Sequence, residues 1–176
     1  MNKKGLTLVE LLGAVVIFGI SISLIALLLS VIFNANDKIL EQSRANTEGT
    51  IVIAHLEDLM RNFAVTDYST CIDNPNCVTL ESHYTYELSG DSSSIILVKH
   101  TPPNTLQISI LNNQLYINGV VHEIRNFEIH SDSYIEKTTV NNQLKLKIVI
   151  ILYINEGKTY TFTSNQTFDL SDVPAS

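Results

Sequence analysis

An uncharged, apolar run of 23 residues, from Leu11 to Phe33, constrains the fold of this chain more than any other feature. At about 1.5 Å of rise per residue, a helix of this length covers roughly 34 Å, enough to cross a hydrocarbon core of about 30 Å. A cleaved secretory signal has a shorter apolar segment followed by a small-residue cleavage site, which this run does not match. The sequence therefore predicts a membrane-spanning helix.

The charges around the run predict its orientation. Lys3 and Lys4 precede it, whereas a polar stretch beginning at Asn34 follows it. Because positively charged flanks stay in the cytoplasm, we expect a single-pass protein of the cytoplasmic (inner) membrane with a cytoplasmic N-terminus and an external C-terminal body. On these features alone, a single-pass anchored receptor or enzyme is one interpretation.

One acidic residue, Glu10, lies at the edge of the run, where a carboxylate usually has a partner or a function. Residues 3–10 read Lys-Lys-Gly-Leu-Thr-Leu-Val-Glu. This order of basic residues, glycine, glutamate and apolar run resembles the class III signal of type IV prepilins. Type IV pilins share that signal with the pseudopilins of type II secretion and competence systems. The resemblance covers residues 3 to about 30 of this chain.

The resemblance implies processing and assembly roles for three residues. A membrane-embedded prepilin peptidase would cut after Gly5, and the new amino terminus, Leu6, would be N-methylated. The Glu10 carboxylate of an incoming subunit would then meet the Leu6 amine of a subunit already in the filament. The implied partners are the peptidase, other pilins or pseudopilins, an assembly platform protein with its ATPase machinery, and membrane lipid. The implied final location is a cell-surface filament.

The remaining sequence predicts that the helix continues into a β-rich domain. No proline precedes Pro75, so one helix can run from Leu6 to about Phe63. Many major pilins carry a proline midway through the apolar segment, and this chain does not. The predicted segments are a leader peptide over 1–5, a transmembrane or filament-core helix over 6–33, a polar connector and amphipathic half of the same helix over 34–63, and an extracytoplasmic β-rich globular domain over 64–176.

The fold class predicted from the residue pattern is α+β and type IV pilin-like, with one long N-terminal helix packed on an antiparallel sheet. Apolar residues three to four apart (Ile53, Leu56, Met60 and Phe63) predict the helix face that packs on the domain. Later segments are rich in β-branched and aromatic residues and predict strands. Those strands are predicted over Ile95–Val98, Leu106–Leu111, Leu115–Ile117, Ile124–Ile129, Leu144–Ile154 and Thr159–Phe168, with hairpin turns at Asn112-Asn113 and Asn155-Glu156-Gly157.

Two cysteines, Cys71 and Cys77, enclose a segment of turn-forming residues. An external location permits oxidation, so we expect a disulfide, with two free thiols as the alternative. A zinc site would need four ligands, and only the scattered His83 and His100 could join the pair. The chain contains no nucleophile elbow, no metalloprotease motif and no phosphate loop. We therefore predict a protein that is not an enzyme, with no catalytic residue, metal or cofactor.

The charge balance bears on function. The chain has 18 acidic and 11 basic residues, and its formal net charge of −7 argues against direct nucleic-acid binding. Residues 120–130 and 56–63 resemble parts of larger minor pilins and pseudopilins, which favours a minor filament component. The short leader and the composition resemble those of low-GC bacteria with one outer envelope layer, which favours DNA uptake in competence. A type II secretion pseudopilin and an adhesion or motility minor pilin remain open alternatives.

Overall fold

A computed structural model describes residues 7–90, 94–125, 127–154 and 157–170. Gly5 and Leu6, the predicted processing and methylation residues, lie outside the described residues. The chain divides into two compact units, Met1–Arg44 and Ala45–Ser176. The division falls within the predicted polar connector.

The first element is a single helix, α1, over Leu8–Arg61. In the first unit, all large apolar side chains between Leu8 and Phe33 are exposed, with exposed fractions of 47% to 79%. This part of the helix is long and apolar enough to cross a membrane. A single-pass anchor is therefore consistent with the structure.

The C-terminal part of α1 belongs to the second unit and packs into its core. The predicted positions Leu56 and Met60 are buried, which confirms the centre of the predicted apolar face. Ile53 and Phe63 are only half-buried and lie at the margin of that face. The buried row consists of Ala45, Gly49, Val52, Leu56 and Met60. Its spacing of three to four residues keeps these positions on one side of the helix.

The strands form two antiparallel sheets. The first sheet has the order β1-β2-β3-β4-β5, and adjacent strands are also neighbours in sequence. In the second sheet, β8 is central, with β9 on one edge and β7 and β6 on the other. The strands are β1 Asp67–Thr70, β2 Cys77–Leu88, β3 Ile95–Leu111, β4 Gln114–Ile117, β5 Val120–His122, β6 Glu128–Ile129, β7 Tyr134–Val140, β8 Gln143–Ile154 and β9 Lys158–Asp169.

One apolar core joins the helix to both sheets. Val52 and Leu56 of α1 lie in the same buried cluster as Val78 of β2 and Ile148 of β8. Gly49 is also required by packing, because a Cβ atom there would overlap the ring of Phe162 on β9. This arrangement of one long helix packed on antiparallel sheets confirms the α+β class.

Three hairpin turns use residues that tolerate positive φ. Asn112 and Asn113 connect β3 to β4 with φ values of 50° and 61°. Asn118-Gly119 and Asn141-Asn142 make the corresponding turns after β4 and β7, again with positive φ at both positions. Such turns match the right-handed twist of paired strands and favour Asn and Gly. The predicted hairpin at Asn112-Asn113 is confirmed.

Several strand predictions require correction. The predicted strands Ile95–Val98 and Leu106–Leu111 are parts of one continuous strand, β3, which bulges where it passes β2. The predicted strand Ile124–Ile129 is wrong, since only Glu128–Ile129 pairs with β8. β1, β2, β5 and β7 were not predicted from the sequence. Their Val, Thr and Tyr residues do favour strands, but polar or charged residues interrupt the apolar pattern of β1, β2 and β7, and β5 is only three residues long.

The long hairpin at the C-terminal end of the second sheet agrees with the prediction. β8 pairs with β9 along its whole length, from Gln143 opposite Asp169 to Ile154 opposite Lys158. Leu144, Leu146 and Ile148 are buried while the residues between them are more exposed, as the alternating pattern predicts. Asn155 and Glu156, in the predicted turn of this hairpin, lie outside the described residues.

Candidate functional site

The amino-terminal end of α1 forms a reciprocal cap between Thr7 and Glu10. The backbone N–H of Thr7 donates to Glu10 Oε2 over 2.9 Å, and the Thr7 hydroxyl donates to the same oxygen over 3.0 Å. The backbone N–H of Glu10 donates in return to Thr7 Oγ1 over 3.4 Å. This pattern is a capping box, which satisfies backbone donors that the first helical turn leaves without partners.

The cap gives Glu10 a role that the sequence analysis did not assign. A Thr-x-x-Glu pattern before an apolar run is a recognisable start signal for a helix, and Thr7-Leu8-Val9-Glu10 contains it. The negative charge of the carboxylate also interacts favourably with the positive N-terminal end of the helix dipole. Glu10 therefore has a local structural function, independent of any neighbouring chain.

Two polar side chains in the helix that follows this cap form hydrogen bonds with the helix backbone. The Ser21 hydroxyl donates to the carbonyl oxygen of Ile17 over 2.9 Å, and the Ser23 hydroxyl donates to that of Gly19 over 3.0 Å. In lipid, polar groups need such partners because no water is present to supply them. The first part of α1 can therefore present a continuous apolar surface to lipid or to other apolar helices.

Cys71 and Cys77 form a disulfide that closes a short loop before β2. We call residues 71–77 the clasp loop. Cys77 is buried, whereas Ile72 is fully exposed. Asn74 stabilises the loop internally, because its Oδ1 accepts a hydrogen bond from the Asn76 backbone N–H over 2.9 Å.

The clasp loop connects the two sheets through Asn76. The Asn76 carbonyl oxygen accepts from the Ile110 N–H of β3 over 2.8 Å. Its side-chain Oδ1 accepts from the Ile135 N–H of β7 over 3.3 Å. One residue of the loop therefore bonds to a strand of each sheet.

Lys137 of β7 also holds the clasp loop. Its Nζ donates to the carbonyl oxygens of Pro75 over 2.9 Å and Cys77 over 2.8 Å. Burial lowers the pKa of Lys137. The sequence analysis gave no role to Lys137, since the distance of 60 residues along the chain from Cys77 leaves no local signal.

Two histidines meet between α1 and β5. The His55 and His122 rings stack with centroids 5.3 Å apart and an interplanar angle of 16°. His122 also lines a cleft of about 270 Å³ beside the connector from β5 to β6, together with Arg125 and Phe127. Within the described residues, no three His, Cys, Asp or Glu side chains are grouped to hold a metal ion.

No protein-family model, no curated protein and no solved structure matches this chain.

Proposed function

We propose that this chain is a minor structural subunit of a type IV filament, processed by prepilin peptidase and serving DNA uptake. The proposal rests on one feature, the junction of residues 3–10 that leads directly into the apolar part of α1. Lys3, Lys4, Gly5 and Glu10 stand there in the order found in type IV prepilins. The proposed partners are the peptidase, sibling pilins, the assembly platform protein and its ATPase.

The architecture supports this proposal. A filament subunit needs an apolar helix that first resides in lipid and then packs among sibling helices. The exposed side chains between Leu8 and Phe33 suit both surroundings. It also needs an external body on the same chain after that helix. Here α1 continues without interruption from Leu8 to Arg61.

The capping box favours a second candidate, a protein that is only anchored in the membrane. In that case Glu10 would serve to start the helix, and its contacts with Thr7 would be its whole function. A filament subunit additionally needs the Glu10 charge to offset the Leu6 amine of its neighbour, because that amine would otherwise be uncompensated in an apolar environment. The two candidates therefore differ in whether the charge or only the hydrogen-bonding ability of residue 10 matters.

Processing provides the first test. Co-expression with a prepilin peptidase should remove Met1–Gly5, so that N-terminal sequencing starts at Leu6 with a methylated amine. Gly5→Arg should remain full length, because a long side chain should not fit a peptidase pocket shaped for glycine. A mature chain that begins anywhere other than Leu6 would contradict the proposed processing.

Substitutions at the cap separate assembly from anchoring. Glu10→Gln keeps a side chain that can accept the Thr7 hydrogen bonds but removes the charge. Thr7→Ala removes the hydroxyl contacts of the cap, at about 1 kcal/mol of helix stability, but keeps the carboxylate. If the chain is a filament subunit, Glu10→Gln and Glu10→Ala should abolish both cross-linking to sibling pilins and DNA uptake. Thr7→Ala should retain most of both. All variants should still be cleaved and inserted.

The opposite pattern would favour the anchored protein. If Glu10→Gln behaves like the parent chain and Thr7→Ala is impaired, the assembly role assigned to Glu10 is wrong.

Deleting the gene for this chain distinguishes the filament systems. Loss of DNA uptake with normal protein secretion assigns competence, whereas loss of secretion alone assigns a type II secretion pseudopilus, and loss of surface adhesion or motility alone assigns a pilus.

A further inference from the structure

The hairpin of β2 and β3 extends beyond the body of the first sheet as a two-stranded ribbon. We call this ribbon the distal arm and define it as Tyr84–Leu88 of β2 paired with Ile95–Lys99 of β3. A bulge separates the arm from the rest of the sheet, because the register shifts between Ser82 and Tyr84.

The distal arm exposes apolar side chains on both of its faces. Directly paired residues share a face, so Leu88, Ile95 and Leu97 lie together on one face. Their exposed fractions are 68%, 70% and 37%. Ile96 lies on the opposite face and is 44% exposed. A ribbon of two strands is marginally stable in water, and this one does not bury its apolar residues within the described chain.

Both edges of the distal arm also lack a neighbouring strand among the described residues. β1 pairs with β2 only from Val78 to Glu81, and β4 pairs with β3 only from Ile108 to Leu111. The β3 edge is the more open to pairing. Its residues Ile95 to Val98 are uncharged and apolar, whereas the β2 edge carries Glu87 in its middle. Such an edge is a template for another strand.

The unpaired edge favours a protein strand over lipid as the partner. Lipid could cover one apolar face of the arm, but it would leave the other face in water and would supply no hydrogen bonds to the backbone. A strand added to the β3 edge supplies those hydrogen bonds and extends both apolar faces. The matching edge of a second copy is suitable because the apolar run is self-complementary when two copies lie antiparallel.

We propose that the β3 edge of the distal arm pairs antiparallel with the same edge of a second copy, with Leu97 opposite Leu97. This register places Ile96 opposite Val98 and Ile95 opposite Lys99 of the other copy. The two Lys99 side chains then lie about 13 Å apart along the strands, which avoids repulsion between them. The result is a two-fold symmetric sheet of four strands. Pro102 and Pro103 lack backbone N–H groups and limit the pairing beyond this register.

This interface is small and suits copies that a membrane holds side by side. Five residues from each copy bury far less than the roughly 1,200 Å² of a stable soluble complex, so we expect weak association in free solution. Confinement by α1 in one bilayer raises the effective concentration of the arms. The inference concerns these membrane-held copies and does not depend on the proposed filament function.

Cysteine cross-linking in membranes tests the register. Both native cysteines are in the disulfide, so a single introduced cysteine is the one free thiol. In the full chain in lipid vesicles, Leu97→Cys should give an oxidised dimer, because directly opposite Cβ atoms lie about 5 Å apart. Glu87→Cys is the matched control. In this register, residue 87 of each copy would lie three strand spacings apart and two residues offset along the strands, about 16 Å in all, and should give at least fivefold less dimer.

A mixed experiment checks the direction of the strands. Differently tagged chains with Ile95→Cys and Lys99→Cys should form the mixed dimer at least fivefold more than either self-dimer. Adding Ile96→Lys to Leu97→Cys should lower the dimer yield by at least fivefold, because it places a charge on the apolar face at the interface. Mass spectrometry of the linked peptides and of the Cys71–Cys77 bond verifies both the cross-link and the fold.

Three results would overturn the proposal. One is a folded Leu97→Cys chain that forms no self-dimer in vesicles. Another is equal cross-linking at positions 87 and 97, which would indicate random collision. The third is cross-linking of Leu97→Cys in native membranes to a different protein instead of to a second copy.

Discussion

At the residue scale, the stacked histidines predict that the stability of the second unit depends on pH. Burial, followed by the nearby charge of His55, lowers the pKa of His122 below its ordinary value of 6.5. The folded state therefore favours neutral His122, whereas the unfolded chain takes up a proton first as the pH falls. The stabilising contribution is complete above about pH 6.5 and decreases as the pH falls through the lowered folded-state pKa.

We expect His122→Phe to reduce this dependence, because phenylalanine keeps an aromatic ring against His55 but cannot take up a proton. Between pH 7 and pH 5, the variant should lose less unfolding free energy than the parent chain, with a difference of at most about 1.4 kcal/mol per pH unit. Urea unfolding of the detergent-solubilised chain at each pH measures the unfolding free energy. His130→Gln, a change at the histidine that directly follows β6, is the control. Parallel pH profiles for the parent and His122→Phe would contradict the prediction.

At the scale of elements, the clasp loop depends on a lysine from another sheet. Lys137→Met would leave the carbonyl oxygens of Pro75 and Cys77 without their charged donor. We expect a loss of about 1–3 kcal/mol of unfolding free energy, since a half-buried acceptor without a partner is costly. Chemical denaturation checks this value.

Lys145→Met is the matched control for this prediction. Lys145 lies on the neighbouring strand β8, is exposed, and forms no hydrogen bond or ion pair with the clasp loop in the part of the chain that the structure describes. Its substitution should therefore change stability by less than about 0.5 kcal/mol. Equal effects at Lys137 and Lys145 would show that the two bonds to the clasp loop contribute nothing measurable.

At the scale of the whole molecule, the division into two units predicts which part folds alone. A chain that starts at Ala45 retains Val52, Leu56 and Met60, the helical part of the core. We expect it to be soluble and to unfold cooperatively. A chain that starts at Ala64 lacks these side chains and exposes the apolar surface of both sheets, so it should aggregate or lose its thermal transition. Thermal unfolding of the two chains, followed by circular dichroism, compares their stability. Equal stability of the two chains would contradict this prediction.

Local chemistry along the chain specifies several elements without any help from packing. The uncharged run from Leu11 to Phe33 needs only its length and composition to predict an apolar helix. The turn at Asn112-Asn113 needs only residues that tolerate positive φ, and the alternation from Leu144 to Ile148 needs only the two-residue period of a strand. The Thr7–Glu10 cap could also have been predicted, because its Thr-x-x-Glu pattern is local.

The features that join distant residues depend instead on how the helix and the two sheets pack. Lys137 meets the clasp loop across 60 residues of sequence, and Gly49 has to be small because Phe162 of β9 lies against it. Strands such as β2 and β7 mix strand-favouring residues with charged ones, and neighbouring strands complete their hydrogen bonds. These contacts depend on which surfaces pack together, and local propensity and periodicity contain no information about that pairing.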